Sequence, residues 1–347
     1  MELLPKTLAG ISPELDEAAM EESRGHLDNL LKPRGSFGRL EDLIVKLAGI
    51  RGTAGPHNNK KAVIMMCADN GVYEEGFHSY PQEITKIIAE LSGKEGIAGG
   101  AVFARFAHAE MVTVDVGIKE DVRGAHIVNK KVRYGTGNIT KGPAMTREEA
   151  VKAVEAGIEA VTELAQKGIN LLTVGEAGIC NTTTSGAILA VLTGAAPEEV
   201  VGRGSGLADD QLKQKYDIVK KALDINRPDK NDPLDVLAKV GGLEIAGMVG
   251  CFLAAANESI PVVIDGFISG VAALLAVQLA PASLNYMFPS HLSAEPGARI
   301  LLEALHLVPY LTLDMRLGEG TGALLAFNIF DCAVKVMEEM GTFADLN

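Results

Sequence analysis

Four continuous apolar runs place the strongest constraint on the fold of this 347-residue chain. They lie at residues 62–69, 111–117, 170–176 and 261–266. A run without polar alternation that ends at a turn is typical of a strand buried on both faces. Helical patterns separate the runs, and the clearest starts at Thr146, where Glu149 completes a capping box. Strands that alternate with amphipathic helices predict an α/β fold, with a mostly parallel sheet covered by helices on both faces.

Three other segments have a less regular pattern. Residues 13–50 predict two helices separated by a turn at 33–38. Residues 120–142 indicate an extended excursion or a hairpin. Residues 266–294 carry no Asp, Glu, Lys or Arg, but Gln, Asn and Pro interrupt them and their flanks are acidic. A buried helix is therefore favoured there over a membrane span.

The charge balance argues against a nucleic-acid partner. Asp and Glu number 45 against 32 Lys and Arg, which gives a net charge of -13. Such a surface repels a phosphate backbone. The N-terminus lacks the basic segment of a signal peptide and carries acids where its apolar stretch would lie. We therefore expect a cytoplasmic protein that binds neither nucleic acid nor membrane.

The four cysteines predict neither a disulfide framework nor a metal site. Cys67, Cys180, Cys251 and Cys332 stand singly in apolar surroundings, with no CxxC pair. We expect them to be reduced and buried.

Each apolar run ends in an acidic residue with a glycine close by. These acids are Asp69, Asp115, Glu176 and Asp265. Because ligands bind outside the carboxyl ends of parallel strands, the four acids are expected to converge on one crevice. The alternative is that Asp and Gly only end the strands and cap the following helices. Position alone therefore predicts a region and not a chemistry.

Residues 173–190, TVGEAGICNTTTSGAILA, contain the strongest sign of a phosphate site. A buried strand meets Glu176, and a run from Asn181 to Ser185 then opens a helix with hydroxyl side chains. Free N–H groups and hydroxyls at a helix N-terminus favour a phosphate, although an N-cap with spare threonines has the same pattern. No GKS or GKT follows, and no GxGxxG follows the first strand. The chain therefore has neither a P-loop nor the fingerprint of a nicotinamide-dependent dehydrogenase.

Two further segments place charged residues near glycines. In 200–223, alternating glycines precede a helix with Lys213 and Lys215, which suits an anion-contacting loop. A flexible loop followed by a solvated basic helix face is the alternative. In 315–327, Glu319 lies between two glycines before an apolar helix. The helix dipole keeps such a carboxylate anionic, as a general base requires, although plain helix capping suits the position equally well.

Eight segments spread over nearly the whole chain resemble one family, the nicotinate-nucleotide:dimethylbenzimidazole phosphoribosyltransferases of cobalamin lower-ligand assembly. The segments are LLKPRGSFGRLE (30–41), VIMMCADNGVYEEG (63–76), VDVGI (114–118), GNITKGPAM (137–145), VGEAGICNTT (174–183), VIDGFISG (263–270), PSHLSAEPGAR (289–299) and RLGEGTGA (316–323). Several long motifs in register are far more specific than any single short pattern.

The resemblance implies a fold, an assembly and a reaction. It implies a Rossmann-like large α/β domain at 60–312 and a small helical domain built from 1–59 with 313–347. It also implies a dimer with active sites near the subunit interface. In the implied reaction, the phosphoribosyl group of nicotinate mononucleotide passes to an aromatic acceptor with inversion at C1, and no metal or cofactor is called for.

The resemblance also assigns roles to residues of this sequence. Glu319 matches the general base, and Glu176 matches a second carboxylate whose charge would stabilise an oxocarbenium-like C1. Ser293 matches a serine of the substrate site. The residues that match the phosphate and ribose contacts are Gly178, Asn181, Thr182, Thr183, Gly204 and Lys215.

The acceptor pocket departs from the family pattern at two positions. Where the family contacts benzimidazole with a serine and a glutamine, this sequence has Tyr80 and Ile88. Loss of the amide weakens discrimination in favour of a ring nitrogen, and isoleucine makes the pocket more apolar. The sequence therefore fits both classes of acceptor, benzimidazoles and phenolic compounds such as phenol or p-cresol. Phenol-specific relatives resemble pairs of paralogous chains, so a homodimer, a heterodimer and a non-catalytic supporting subunit stay open as well.

Overall fold

The computed structural model describes residues 2–55, 58–204 and 206–346. These residues form six strands, β1 (Lys61–Ala68), β2 (Ala109–Gly117), β3 (Ile127–Asn129), β4 (Leu171–Ala177), β5 (Val262–Ile264) and β6 (Met287–Pro289). They also form the helices α1 (Leu3–Gly10), α2 (Glu17–Asn29), α3 (Arg39–Arg51), α4 (Ile84–Glu90), α5 (Gly99–Phe106), α6 (Arg147–Gln166), α7 (Asn181–Thr193), α8 (Pro197–Val200), α9 (Asp209–Asn226), α10 (Pro233–Val240), α11 (Leu243–Asn257), α12 (Phe267–Leu279), α13 (Ala298–Ala304) and α14 (Thr321–Glu339). Short 3-10 helices lie at Gly71–Glu75, Pro281–Tyr286 and Phe343–Leu346.

The six strands form one parallel sheet in the order β3-β2-β1-β4-β5-β6. The chain moves outward from β1 on one side and from β4 on the other, so the strand order reverses between these two central strands. Every residue of β1 and β4 is buried. Since successive side chains of a strand point to opposite faces, helices must cover both faces of the sheet. The structure therefore confirms the predicted α/β fold.

The sequence patterns locate most of the regular elements. The four apolar runs lie on β1, β2, β4 and β5, and the two helices predicted within 13–50 are α2 and α3. Helix α6 begins with the predicted capping box, in which Thr146 Oγ1 accepts the N–H of Glu149 at 3.2 Å. The Glu149 carboxylate in turn accepts the N–H of Thr146 at 2.8 Å. Local sequence patterns are therefore sufficient to locate the long helices and strands.

Three sequence predictions are corrected in part. Of the two alternatives for residues 120–142, an extended excursion or a hairpin, the structure excludes the hairpin, because strand β3 pairs in parallel with β2. Residues 266–294 are not one helix, since α12 ends before Pro281 and the edge strand β6 follows the 3-10 helix. The cysteines are unpaired, but Cys332 is exposed and Cys180 is half-buried, because α14 and the loop before α7 leave these positions uncovered by the core.

The described helices include none that is long and apolar enough to cross a membrane. The division into domains at 60–312 and at 1–59 with 313–347 stays a prediction. In its favour, α3 packs on α2 and α14, and Leu30 bridges to Thr342, so the two chain ends meet. Against a sharp boundary, α1 packs on α6 and α11, and α14 also packs on α5 and β4.

Candidate active site

A cavity of about 580 Å³ lies beyond the carboxyl ends of β4 and β5. Since β4 is one of the two strands between which the strand order reverses, this is the place where open α/β sheets bind ligands. All of the site residues expected from the sequence line this cavity. They are Tyr80, Ile88, Glu176, Gly178, Asn181, Thr182, Thr183, Gly204, Lys215, Ser293 and Glu319.

The four acids at the strand ends do not all converge on this cavity, contrary to the sequence prediction. Glu176 and Asp265 line it. Asp69 instead accepts the N–H of Lys119 at 2.8 Å. Asp115 accepts the N–H groups of residues 117 and 118 and forms an ion pair with Lys131 at 3.2 Å. For Asp69 and Asp115 the alternative interpretation is therefore correct: these acids serve the local structure at the strand ends. Their carboxylates are hydrogen-bonded within the loops that follow β1 and β2.

One end of the cavity is cationic. Lys215 is only 1% exposed, and its Nζ donates to Thr182 Oγ1 and to the carbonyl oxygen of Gly202, each at 2.8 Å. Burial lowers the pKa of Lys215 to about 8, and the Glu295 carboxylate partly opposes this change. The lysine thus joins the glycine loop to the first turn of α7. In the same turn, the Thr183 hydroxyl is buried without a hydrogen-bond partner among the described residues. This arrangement leaves a cation, a helix N-terminus and a hydroxyl for an anion.

Sequence reasoning missed two charged residues at the same end. Glu295 Oε1 accepts the N–H of Gly204 at 3.0 Å, and the Arg316 guanidinium donates to the carbonyl oxygen of Gly204 at 2.7 Å. Both side chains line the cavity. Arg316 stands three residues before Glu319 in a segment already singled out, so its charge was a usable signal. Glu295 had none, because a carboxylate is not expected beside an anion site.

Glu319 occupies a left-handed turn, with φ of 58°, immediately before α14. Its Oε2 accepts the N–H of Gly100 at 2.7 Å, so the side chain caps α5. The N-terminus of α14 is instead occupied by Asp265. The prediction that the following helix holds Glu319 anionic is therefore wrong. Burial raises the pKa of Glu319, the Gly100 N–H lowers it, and the charge of Asp265 raises it further, which suits a proton acceptor.

Glu176 is a buried carboxylate near the end of β4. The side-chain amide of Asn181 donates to its Oε2. Burial and the charges of Glu244, Asp265 and Glu319 raise the pKa of Glu176 well above its usual value, although the Asn181 hydrogen bond lowers it. The resemblance implies an anion at this position. The surrounding protein groups oppose that ionised form, and a bound cation would favour it.

Close contacts at Gly175 and Gly318 hold the turn of Glu319 against β4 and Glu176. A Cβ atom on Gly175 would lie 2.5 Å from the carbonyl carbon of Glu319, so the absence of a side chain at residue 175 allows the turn to rest on β4. A Cβ atom on Gly318 would likewise collide with Glu176 Oε1. Among the described residues, no group of three or more His, Cys, Asp or Glu side chains is arranged to hold a metal ion.

The other end of the cavity is mostly apolar. Phe77, Ile84 and Ile88 line it together with Tyr80, which is 49% exposed. His78, which the sequence reasoning missed, also lines it, and its ring stacks on that of Tyr73 with 3.6 Å between centroids. Ser293 lies elsewhere in the wall, where its Oγ accepts the N–H of Glu295 at 3.3 Å. The cavity therefore has an anion-binding end, two carboxylates and an apolar end.

Known proteins with this sequence pattern share nearly the full length of the chain. The phosphoribosyltransferase family model matches residues 12–347. The nicotinate-nucleotide–dimethylbenzimidazole phosphoribosyltransferase of Acetivibrio thermocellus is 55% identical over 343 residues, which are 99% of this chain and 97% of that protein. This chain belongs to the nicotinate-nucleotide–dimethylbenzimidazole phosphoribosyltransferase family. The enzyme of that name from Ruminiclostridium cellulolyticum is 52% identical and covers 96% of the chain and 94% of its own length.

A solved structure of a family member has the same fold. The crystal structure of CobT from Thermus thermophilus superposes with a TM-score of 0.90 at 39% identity. The superposition covers 95% of this chain and 98% of the Thermus thermophilus chain. The family resemblance found in the sequence motifs is therefore confirmed over the whole fold.

Proposed function

We propose that this chain transfers the 5-phosphoribosyl group of nicotinate mononucleotide to an aromatic lower-ligand base, with inversion at C1, in the assembly of the nucleotide loop of cobamides. One observation carries the proposal. A buried lysine, two buried carboxylates and an apolar wall line a single cavity in a chain of this family. The names of the curated relatives give nicotinate nucleotide and dimethylbenzimidazole as their substrates.

The cationic end binds the 5-phosphate. Lys215 supplies a charge, Gly204 supplies the loop, and the first turn of α7 supplies N–H groups and the hydroxyls of Thr182 and Thr183, with Gly178 and Asn181 at its start. Arg316, held on the Gly204 carbonyl, adds a second charge at the same loop. These contacts act by orientation, because they hold C1 in line between the leaving group and the acceptor.

Departure of nicotinate needs no general acid. The pyridine nitrogen of the mononucleotide already bears positive charge, so the C1–N bond breaks with its electron pair going to that nitrogen. As this bond lengthens, C1 becomes oxocarbenium-like, and a carboxylate beside it stabilises the charge. Glu176 takes this role once the cationic substrate favours its ionised form.

Glu319 completes the transfer as the general base. It takes the proton from the N–H or O–H of the acceptor, while the acceptor forms its bond to the face of C1 opposite nicotinate. Its raised pKa makes the carboxylate a better proton acceptor than an exposed glutamate, and the Gly100 N–H keeps one oxygen in place. The products are nicotinate, the inverted nucleotide and a proton left on Glu319.

The apolar end and Ser293 take the acceptor. The names of the relatives favour dimethylbenzimidazole. A phenolic acceptor is the second candidate, and Ile88 favours it, because an isoleucine in the wall offers no hydrogen bond to a second ring nitrogen. In either case the chain is catalytic rather than a supporting subunit, since Glu176, Glu319 and Lys215 lie together on its own cavity. It acts as a homodimer or with a paralogous partner.

The test is an acceptor panel with identification of the product. The purified chain, alone and with its paralogue, is incubated with nicotinate mononucleotide and with dimethylbenzimidazole, benzimidazole, phenol or p-cresol. Nicotinate release that requires an acceptor, together with an α-linked nucleotide product, supports the proposal. No release with any acceptor in either preparation would contradict it. Release only in the presence of the paralogue, and unchanged when Glu319 of this chain is replaced, would assign this chain the supporting role.

A further inference from the structure

Two carboxylates at the site each cap a helix other than the one that follows them in sequence. Asp265 follows β5 and precedes α12, yet its side chain lies at the N-terminus of α14. Glu319 precedes α14, yet its side chain lies at the N-terminus of α5. Without Asp265, the N–H groups at the start of α14 would lose their acceptor, and the carboxylate of Glu319, one residue before Gly320, would be an alternative acceptor. The start of α14 would then compete with the Gly100 N–H for that carboxylate.

We propose that Asp265 is a positioning residue for Glu319: it occupies the N-terminus of α14, so that the base is left bound to a single N–H of α5 and faces the cavity. This inference rests on the proposed function. Asp265 Oδ1 accepts the N–H groups of Gly322 at 2.8 Å and Ala323 at 3.1 Å, and Oδ2 accepts the N–H of Gly320 at 3.2 Å. The last contact fixes the peptide that directly follows Glu319.

Asp265 is itself held on the sheet. Its N–H donates to Ser269 Oγ at 3.2 Å, and its carbonyl oxygen accepts the hydroxyl of Ser290 at 2.7 Å. A carboxylate that is 4% exposed and accepts three N–H groups is a rigid support for a turn that otherwise has a strained φ. Asp265, at the end of β5, thus supports the turn of Glu319 in addition to the contact of that turn with β4.

Asp265 also acts on the charge of the base. The titratable groups around Glu319 are Asp265 on the β5 side, Glu176 on β4, Cys67 on β1 and, beyond Asp265, His291 after β6. The negative charge of Asp265 raises the pKa of Glu319. Removal of that charge therefore lowers the pKa of the base and weakens it, even where the turn stays in place.

The variant Asp265→Asn separates these effects from simple loss of stability. An asparagine that keeps its oxygen on Gly322 and Ala323 points its NH2 group at the N–H of Gly320, so the contact next to the base is lost. We expect kcat to fall about 10- to 100-fold, because a displacement of about 1 Å at a reacting group has this effect. The KM for nicotinate mononucleotide is expected to stay within about threefold, and the acid limb of the pH profile of kcat/KM is expected to move to lower pH.

The matched control is Asp16→Asn. Asp16 caps α2 by accepting the N–H of Ala19 at 2.9 Å and does not line the cavity. Because asparagine is about as good an N-cap as aspartate, this variant is expected to keep the thermal stability, the kcat and the pH profile of the wild type. An Asp265→Asn protein that folds and behaves like this control would overturn the inference. A wild-type chain that is inactive both alone and with its paralogue would instead overturn the proposed function, so the two failures are distinguishable.

A milder variant decides the question if Asp265→Asn does not fold. Ser290→Ala removes the hydroxyl that holds the Asp265 carbonyl and that also lies 2.9 Å from His291 Nδ1, but it keeps the Asp265 carboxylate. A fall in kcat of several-fold at constant KM for the mononucleotide is expected, while the acid limb stays in place because the charge of Asp265 is kept. Unchanged kinetics in Ser290→Ala would count against a positioning role.

Discussion

Gly175 lies directly against the backbone of Glu319, with room for no side chain between them. The next residue of β4 is Glu176, whose carboxylate reaches Gly318 on the same turn. The end of β4 therefore carries the carboxylate of Glu176 and also supports the turn that carries Glu319. The separation of the two carboxylates depends on backbone contact, which is more rigid than a choice of side-chain rotamers.

The first prediction concerns this contact. Gly175→Ala adds a Cβ atom 2.5 Å from the carbonyl carbon of Glu319, so the turn must move away from β4. We expect kcat to fall about 100-fold, with a smaller change in mononucleotide affinity, because the phosphate contacts lie elsewhere. Steady-state kinetics and isothermal titration check this. Gly25→Ala is the control, since a Cβ atom there meets nothing within 4 Å. Equal kinetics for the two variants would mean that the close approach does not position the base.

The second prediction concerns the cationic end. Because burial lowers the pKa of Lys215 to about 8, the ammonium group is charged below that pH and loses its proton above it. The affinity for nicotinate mononucleotide is therefore expected to fall as pH rises through 8, by about tenfold between pH 7 and pH 9. Lys215→Met is expected to bind about 10- to 100-fold more weakly at pH 7 and to lose this dependence.

Lys213 offers a matched control for that experiment. It lies two residues earlier on α9 and is exposed, so Lys213→Met removes a similar charge outside the cavity. Its affinity and pH dependence are expected to match those of the wild type. An equal loss in both variants would show a diffuse effect of charge rather than a contact with Lys215.

The third prediction concerns the protonation of Glu176. Burial and three neighbouring acids raise its pKa before substrate binds, and the positive charge of the nicotinate ring lowers it again on binding. Binding of the mononucleotide at pH 7 is therefore expected to release protons. Titration calorimetry in buffers of different ionisation enthalpy measures this release, with Glu176→Gln as the comparison. If both proteins release the same number of protons, binding does not change the protonation of Glu176, and this prediction is wrong.

The fourth prediction concerns the acceptor. Ile88→Gln returns an amide to the apolar end and is expected to shift kcat/KM toward benzimidazole over phenol by about tenfold. Ile87→Gln is the control, because Ile87 is exposed, adjacent in sequence and outside the cavity. The measurement is a competition between the two acceptors with separation of the products. An unchanged product ratio in Ile88→Gln would mean that this residue does not contact the acceptor.

Long elements and the site region were predictable from the sequence, because their signals are local. Fully buried strands such as β1 are continuous apolar runs, and parallel strands bring their ends to one edge. β6 has three residues, too few for any periodicity, and α1 has no side-chain cap that would mark its start. The family motifs, rather than spacing, supplied the individual roles.

The electrostatics of the site were not predictable, because they depend on contacts between distant segments. The carboxylate of Asp265 caps α14, the helix that follows Glu319. The carboxylate of Glu319 instead accepts the N–H of Gly100, which lies more than two hundred residues earlier in the chain. The resemblance implies an anion at Glu176, but burial and the charges of Glu244 and Asp265 raise the pKa of this carboxyl and so oppose its ionised form. No pattern within one segment contains this information.

The central claim is that Glu319 accepts the proton of the attacking acceptor, and Glu319→Gln tests it most directly. Glutamine keeps the shape and still accepts the N–H of Gly100, but it cannot take a proton. In a single-turnover experiment with saturating mononucleotide and acceptor, the rate of nicotinate release is expected to fall about 100-fold or more, with mononucleotide affinity nearly unchanged. A variant that releases nicotinate at close to the wild-type rate would contradict the account.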